Sequence, residues 1–175
     1  MRPSLPCMAI VMALVARPAQ AQSARPSVIL PGFVGVAFLD TIGAVRNFRA
    51  PPAQVFAALR TVFAESGITV QEDEAKGLIG NLVIKTQRRF TGTRMSVLLD
   101  CGIRDKGPNA DFYRIHLAVM AMVQGLDNGT TNVRMAFAAG AQDFAGPLAD
   151  PVSCSSTGKL EDRMLNLVSL YLKTG

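Results

Sequence analysis

His116 is the only histidine of the chain, so it is the only imidazole that could act as a catalytic base or a metal ligand. It lies out of phase with the apolar residues of a predicted strand, which favours a surface or partly covered imidazole over a base or a ligand. Without a second histidine or an available thiolate, neither a zinc site nor a Cys–His pair can be assembled. Asp100 and Asp111 flank a polar loop, and the acidic run 72–74 is typical of a solvated turn. The sequence therefore predicts no catalytic residue, no metal and no cofactor.

Arg94, Arg114 and Arg134 form a stronger pattern, because each falls in the non-core phase of a different predicted strand. If those strands share one sheet, the three guanidinium groups lie on its outer face and could bind an anionic or amphipathic partner. The same face would carry apolar side chains, namely Leu98, Phe112, Met120 and Met122. Two alternatives stay open: the arginine heads are simply solvated, or the apolar segment Val28–Leu39 folds over this face. Substituting Arg94→Glu together with Arg134→Glu is expected to weaken binding and leave folding intact.

Met95, Met135 and Met164 are predicted to point into the space between the sheet and the last helix. Flexible methionine side chains can line a cavity for a small apolar or lipid ligand, so an apolar-ligand carrier is the alternative function. The simpler interpretation is that these side chains fill the hydrophobic core.

Cys101 and Cys154 are predicted to form a disulfide bond. Cys101 ends a predicted strand in phase with Val97 and Leu99, so its side chain points toward the helix layer, and Cys154 lies just before the last helix. An even cysteine pair is typical of an exported protein, and two buried free thiols are the alternative. The bond would tie the last helix to the sheet.

Two helices and an antiparallel sheet are predicted to position these residues. Apolar spacing predicts a helix over 52–66 and a second one from Thr157 onward. Strands are predicted over 41–49, 68–71, 78–88, 94–101, 110–124 and 130–141. A three-residue loop at 127–129 would set Val123 opposite Val133 and align two apolar faces. The order β-α-β-β-β-β-β-α predicts a two-layer α+β fold, with an antiparallel sheet of about five to six strands and both helices on one face.

The first 21 residues have the order of a secretory signal peptide. Arg2 supplies the basic start, residues 8–16 are unbroken apolar, and Ala19 and Ala21 are the small residues that precede cleavage. Spanning a bilayer takes about 20 apolar residues, so this segment is too short for a transmembrane anchor. We therefore expect a signal peptide at 1–21, an N-terminal tether or covering segment at 22–40, and one α+β domain at 41–175.

Cleavage after Ala21 would leave 154 of the 175 residues, enough for one domain with a substantial core. Arg2 and Arg17 would leave with the signal, so the 18 basic residues would fall to 16 against 13 acidic ones. The net charge of +5 would become +3, without a basic cluster of the kind that binds nucleic acid. No second apolar stretch is long enough to span a membrane, and Cys7 precedes the apolar segment, unlike the cysteine of a lipoprotein.

The stretch from Pro51 to Lys85 resembles a known family. Its cues are the run 52–59 (PAQVFAAL), the run 67–70 (GITV), Asp73 and the run 77–79 (GLI). They resemble the repeating domain of the BamC-type lipoproteins of the outer-membrane β-barrel assembly machinery. The resemblance implies a helix-grip α+β fold that acts by protein contact rather than by catalysis. It covers about a fifth of the chain and assigns no functional residue.

These observations predict a soluble periplasmic or secreted module that binds or contacts other molecules and has no catalytic activity. Its contact surface would be the face carrying Arg94, Arg114 and Arg134. The expected partner is an envelope protein or an anionic surface, and the alternative is an apolar ligand held between the sheet and the last helix. Nucleic-acid binding and a membrane span are not expected.

Overall fold

The computed structural model of the protein describes residues 27–40, 44–105, 107–143 and 150–174. The predicted signal peptide at 1–21 and its cleavage site lie outside the described residues. Of the predicted first strand at 41–49, only 44–49 can be compared with the structure.

The described chain contains four α-helices, one 3-10 helix (Glu74–Lys76) and thirteen strands, several of them only two residues long. The helices are α1 (Pro52–Glu65), α2 (Met95–Leu98), α3 (Asn109–Phe112) and α4 (Lys159–Thr174). The longer strands are β2 (Ala37–Asp40), β3 (Val45–Phe48), β4 (Gln71–Asp73), β5 (Leu78–Gln87), β11 (Arg114–Gly125), β12 (Thr131–Gln142) and β13 (Val152–Ser156). The two-residue strands are β1 (Ser27–Val28), β6 (Arg89–Phe90), β7 (Thr93–Arg94), β8 (Leu99–Asp100), β9 (Ile103–Arg104) and β10 (Gly107–Pro108).

The centre of the sheet is formed by β5, β11 and β12, which are antiparallel neighbours. The β11–β12 hairpin has the predicted register, with Val123 opposite Val133 and Val119 opposite Phe137. Its turn is closed by hydrogen bonds from Leu126 N to Thr130 O and from Gly129 N to Leu126 O. Gly129 has a φ of 74°, the left-handed conformation that this three-residue loop requires. The predicted loop is therefore confirmed.

Helices α1 and α4 pack on each other and on one face of this sheet, and the hydrophobic core lies between the two layers. The apolar side chains of α1 that recur at helical spacing are buried: Val55, Phe56, Leu59, Val62 and Phe63. From α4, Leu160, Met164 and Val168 enter the same core, together with alternate residues of β11 and β12. The predicted α+β class with an antiparallel sheet is confirmed.

The predicted strand at 94–101 is wrong. In the structure β7 and β8 are separated by α2, a single helical turn that buries Met95 and Leu98 and leaves Val97 partly exposed. The turn forms because the buried carboxylate of Asp111 accepts a hydrogen bond from Ser96 N at 3.0 Å, and this satisfies a backbone group that a strand would have paired. As a result no such strand lies between β5 and β11, which are direct neighbours instead.

Three other boundaries differ from the prediction. The strand predicted at 110–124 begins only at Arg114, since α3 occupies 109–112. The strand predicted at 68–71 is displaced to Gln71–Asp73, because Ile68 turns into the core first. No strand is predicted between residue 141 and the last helix, but the structure has β13 there, which pairs with β12 and β8.

Residues 28–39, called the N-terminal cover below, lie across the outer face of the sheet, the face opposite the helices. Leu30, Phe33 and Ala37 of the cover pack on Ala118 of β11 and Ala138 of β12 in a second, smaller hydrophobic cluster. Gly140 is essential to this contact, because a Cβ added there would lie 2.3 Å from Cζ of Phe33. The cover thus occupies the part of the outer face that lies toward the start of β11 and the end of β12.

Candidate binding surface

Arg114 and Arg134 lie on the outer face of the sheet, but at opposite ends of it. Arg114 pairs with Gln142, whereas Arg134 pairs with Met122, eight residues further along β11. At about 3.4 Å per residue this separates the two positions by about 27 Å. The structure therefore does not bring the three predicted arginines into one cluster, and Arg134 stands apart from the other two.

Arg94 belongs to a different cluster, at the end of the sheet where β11 begins. Arg88, Arg89 and Arg94 line an open cleft of about 330 Å³ together with Asp111 and Phe112. This set of five residues is called the arginine cleft below. Arg89 and Arg94 face each other across the β6–β7 hairpin.

Arg114 lies one strand away from the arginine cleft, since it pairs with Gln87, the residue before Arg88. The sequence prediction missed Arg88 and Arg89 because it placed Arg88 at the end of a longer strand. The sequence does carry a signal for this pairing, namely the turn-favouring residues Thr91 and Gly92. A tight turn there pairs Phe90 with Thr93 and therefore sets Arg89 opposite Arg94.

Asp111 is the only carboxylate among the residues that line the arginine cleft, and its oxygens are already engaged. Its side chain is 7% exposed and accepts hydrogen bonds from Arg94 at 2.7 Å, Ser96 Oγ at 2.8 Å and Ser96 N at 3.0 Å. Burial raises the pKa of Asp111, but the hydrogen bonds from Ser96 and Arg94 outweigh burial and leave the pKa below its ordinary value. The carboxylate therefore stays ionised and holds α2 and α3 together.

Arg94 consequently has a structural role besides its place in the cleft. An Arg94→Glu substitution would put a second carboxylate beside the buried Asp111, which we expect to destabilise the α2–α3 region. The double variant suggested by the sequence is therefore a poor test of binding. Arg88 and Arg89, whose side chains are exposed, are better probes of the cleft.

His116 lies under the N-terminal cover rather than at the surface. The residue is 3% exposed, its Nδ1 is 3.2 Å from Pro31 O, and its ring centroid is 5.9 Å from that of Phe33. Since a carbonyl only accepts, Nδ1 carries the proton in this contact. Burial lowers the pKa of His116 below its ordinary value, the charges of Lys85 and Arg114 lower it further, and the Pro31 hydrogen bond opposes both. The imidazole therefore helps to hold the N-terminal cover against the sheet.

Cys101 and Cys154 lie at disulfide distance, with their Sγ atoms 2.06 Å apart. The bond joins the residue after β8 to the middle of β13, two strands that pair with each other at Ser155 and Asp100. Thr157 N donates to Leu98 O just before α4 begins. The start of α4 is thus fastened to the sheet as the sequence predicts.

Met95, Met135 and Met164 are fully buried and belong to the single core beneath the helices. Their side chains pack among the aromatic and aliphatic residues of α1, β11 and β12. This is the arrangement of side chains that fill a core.

Within the described ranges, no group of three or more His, Cys, Asp or Glu side chains is placed to hold a metal ion. The same part of the chain contains no helix that is both long and apolar enough to cross a membrane. Comparisons of the chain with protein-family models, with curated proteins and with solved structures found no match.

Proposed function

We propose that the protein is a binding module of the cell envelope, and that the arginine cleft, flanked by Arg114, is the surface with which it contacts an anionic partner. The observation that carries this proposal is the charge imbalance of the cleft. Three guanidinium groups line it against one carboxylate, and that carboxylate is already satisfied by Ser96 and Arg94. The cleft therefore retains an excess of positive charge that an anion can neutralise.

Arginine is suited to this role because its planar guanidinium group binds carboxylate and phosphate oxygens through two parallel hydrogen bonds. Arg88 forms the tight turn between β5 and β6, and Arg89 follows it directly. Arg89 is paired with Arg94 across the β6–β7 hairpin. A recess lined by one sign of charge concentrates the electric field and attracts oppositely charged groups. Phe112 is partly exposed at the same cleft and adds an apolar contact.

The residues of the cleft favour binding over catalysis. General acid–base catalysis needs a group whose pKa lies near the working pH. The pKa of Asp111 is shifted away from that range, and both of its oxygens accept hydrogen bonds from neighbouring residues. The remaining lining residues are three arginines and a phenylalanine, which can hold an anion but supply no nucleophile.

The envelope location rests on two features of the chain. The first is the predicted signal peptide at 1–21. The second is the pairing of Cys101 with Cys154, because structural disulfides form and persist in oxidising compartments.

Retention of the purified protein on heparin, a sulfated polyanion, tests the proposed surface. We expect Arg88→Glu with Arg89→Glu to weaken heparin binding and to lower the slope of log Kd against log salt by about two, because two ionic contacts are lost. The matched control is Arg49→Glu with Arg134→Glu, which changes the net charge equally at the opposite end of β12.

The comparison of the two variants decides the proposal. A much larger loss for the Arg88/Arg89 variant than for the Arg49/Arg134 variant supports a specific site at the cleft. Equal losses would mean that retention follows net charge alone, and the arginine cleft would then not be the contact surface. Thermal melts of both variants verify that folding is retained.

A further inference from the structure

We infer that the anionic partner is a lipid bilayer surface, which the N-terminal cover and the basic residues beside it contact together. This inference rests on the proposed function, since it assigns a chemical class to the partner of the same basic surface. Its own basis is the outward side of the cover, which the proposed function does not use.

The N-terminal cover is apolar on both of its sides. Its inward side carries Leu30, Phe33 and Ala37, which are buried against the sheet. Its outward side carries four exposed residues: Ile29 (91% exposed), Val34 (76%), Val36 (58%) and Phe38 (41%). Residues 28–39 (VILPGFVGVAFL) contain no charged side chain. Single exposed apolar residues are ordinary, but four within ten residues of an uncharged segment mark an interaction surface.

Cationic side chains border the cover on the side of the arginine cleft. Lys85 lies against the cover, since a Cβ added at Gly32 would be 2.9 Å from its Nζ. Lys85 is paired with His116, and Gln87 is paired with Arg114, so the row of basic residues continues along β5 to Arg88 and Arg89. Lys85 and Arg114 lie on the outer face of the sheet, which is the side toward which the exposed residues of the cover project.

An anionic bilayer is complementary to both parts of this surface. Its headgroups neutralise Lys85, Arg88 and Arg89, and its acyl boundary accepts aliphatic side chains that protrude without hydrogen-bonding groups. The cores of protein–protein interfaces are instead enriched in Tyr, Trp, Phe, Met and Arg, and of these the outward side of the cover carries only Phe38, beside three aliphatic side chains. An apolar insertion combined with basic residues gives the two signals that stable peripheral attachment requires. We therefore favour a bilayer over an acidic protein, which remains an outcome of the test.

Sedimentation with lipid vesicles tests this inference. The probes are vesicles of phosphatidylcholine alone and vesicles in which about a third of the lipid is phosphatidylglycerol. We expect the purified protein to sediment with the anionic vesicles and not with the neutral ones. Val34→Ser with Val36→Ser removes two outward side chains and leaves Leu30 and Phe33 in place, so affinity should fall about tenfold while the fold is kept.

The matched control is Val45→Ser with Leu126→Ser, which removes two exposed apolar side chains at the far end of the sheet. We expect this variant to bind anionic vesicles like the unaltered protein. Equal losses for the two variants, or no loss for Val34/Val36, would overturn the role of the cover.

The heparin measurement separates the two proposals. If heparin binding depends on Arg88 and Arg89 but the protein does not sediment with anionic vesicles, the bilayer inference is wrong and an acidic partner is indicated. If the Arg88/Arg89 variant loses neither heparin nor vesicle binding beyond its charge-matched control, the proposed function fails. The Val34/Val36 variant should retain normal heparin affinity, because its cleft is unchanged.

Discussion

Asp111 and His116 are buried titratable side chains near the arginine cleft, and their surroundings favour opposite charge states. Asp111 is kept ionised because its hydrogen bonds to Ser96 and Arg94 outweigh its burial. His116 is kept neutral because it is buried and lies near the cations Lys85 and Arg114. The first group joins α2 to α3, and the second joins the N-terminal cover to β11.

The lowered pKa of His116 predicts a loss of stability in mildly acidic solution. When pH falls below the ordinary histidine pKa of about 6.5, the unfolded chain binds a proton at His116 that the folded chain does not yet bind. Protonation therefore favours the unfolded chain, and the fold is more stable at higher pH. We expect the free energy of unfolding to fall by up to about 1.4 kcal/mol per pH unit as pH drops below that value. The loss ends once pH has fallen past the folded-state pKa.

Substituting His116→Gln isolates this contribution, because the chain has one histidine and the amide can still donate to Pro31 O. Urea denaturation of both proteins at pH 7.5 and pH 5.5 is the measurement. The difference in stability between them should move in favour of the glutamine variant at the lower pH. Parallel behaviour of the two proteins would show that His116 does not titrate in the expected direction.

At the scale of elements, a few short segments hold the helix layer and the sheet together. The single turns α2 and α3 are joined by Asp111, and the disulfide lies between the end of β8 and β13, just before α4. Thr157 adds hydrogen bonds to Val97 O and Leu98 O from the start of α4. The C-terminal helix therefore depends on this corner of the sheet for its position.

Removal of the Cys101–Cys154 bond is expected to destabilise the protein substantially. The bond closes a loop with a sequence separation of 53 residues, for which the chain-entropy model gives about 4 kcal/mol as an upper figure. Stabilities of domains of this size are about 5–15 kcal/mol, so Cys101→Ala with Cys154→Ala should lower the urea midpoint markedly.

Mass spectrometry of the denatured protein, alkylated with and without prior reduction, checks the bond directly. Both sulfurs should be protected from alkylation until reductant is added. Alkylation of both cysteines in the unreduced protein would contradict the bond, and α4 would then be held by the Thr157 contacts and core packing alone.

At the scale of the whole molecule, the two ends of the sheet differ in chemistry. The arginine cleft and the N-terminal cover lie toward the start of β11, whereas Arg134 and Val45 pair at the opposite end. The proposed contact surface is therefore confined to one end, which lets the other end supply matched controls for both proposals.

Export is the prediction that belongs to the whole chain. Because the first 21 residues have the order of a cleavable signal, we expect the protein isolated from its native host to begin at Gln22. N-terminal sequencing of the envelope fraction is the measurement. Recovery of a chain that retains Met1 in a membrane fraction would show that the segment is not a cleaved signal.

The amphipathic helices and the hairpin register were accessible from the sequence. Val55, Leu59 and Val62 recur at helical spacing, and the phases of β11 and β12 allow one loop length that aligns their apolar faces. The helical turn α2 could not be predicted from periodicity, because Met95, Val97 and Leu99 alternate with polar or differently facing residues as they would in a strand. The residue that favours a helical turn there, Asp111, lies 15 positions beyond Ser96.

The sequence by itself determined the α+β class and the cysteine pairing, which follow from periodicity and counting, and it named Arg94 and Arg114, two of the four arginines at the proposed surface. Only the tertiary structure decided that Arg134 lies far from Arg114, that Arg88 and Arg89 join Arg94, and that residues 28–39 cover His116. The physical reason is that strand phase defines a face of a sheet but not a position on it. Position depends on which strands become neighbours and where each begins, and contacts between residues distant in sequence settle both.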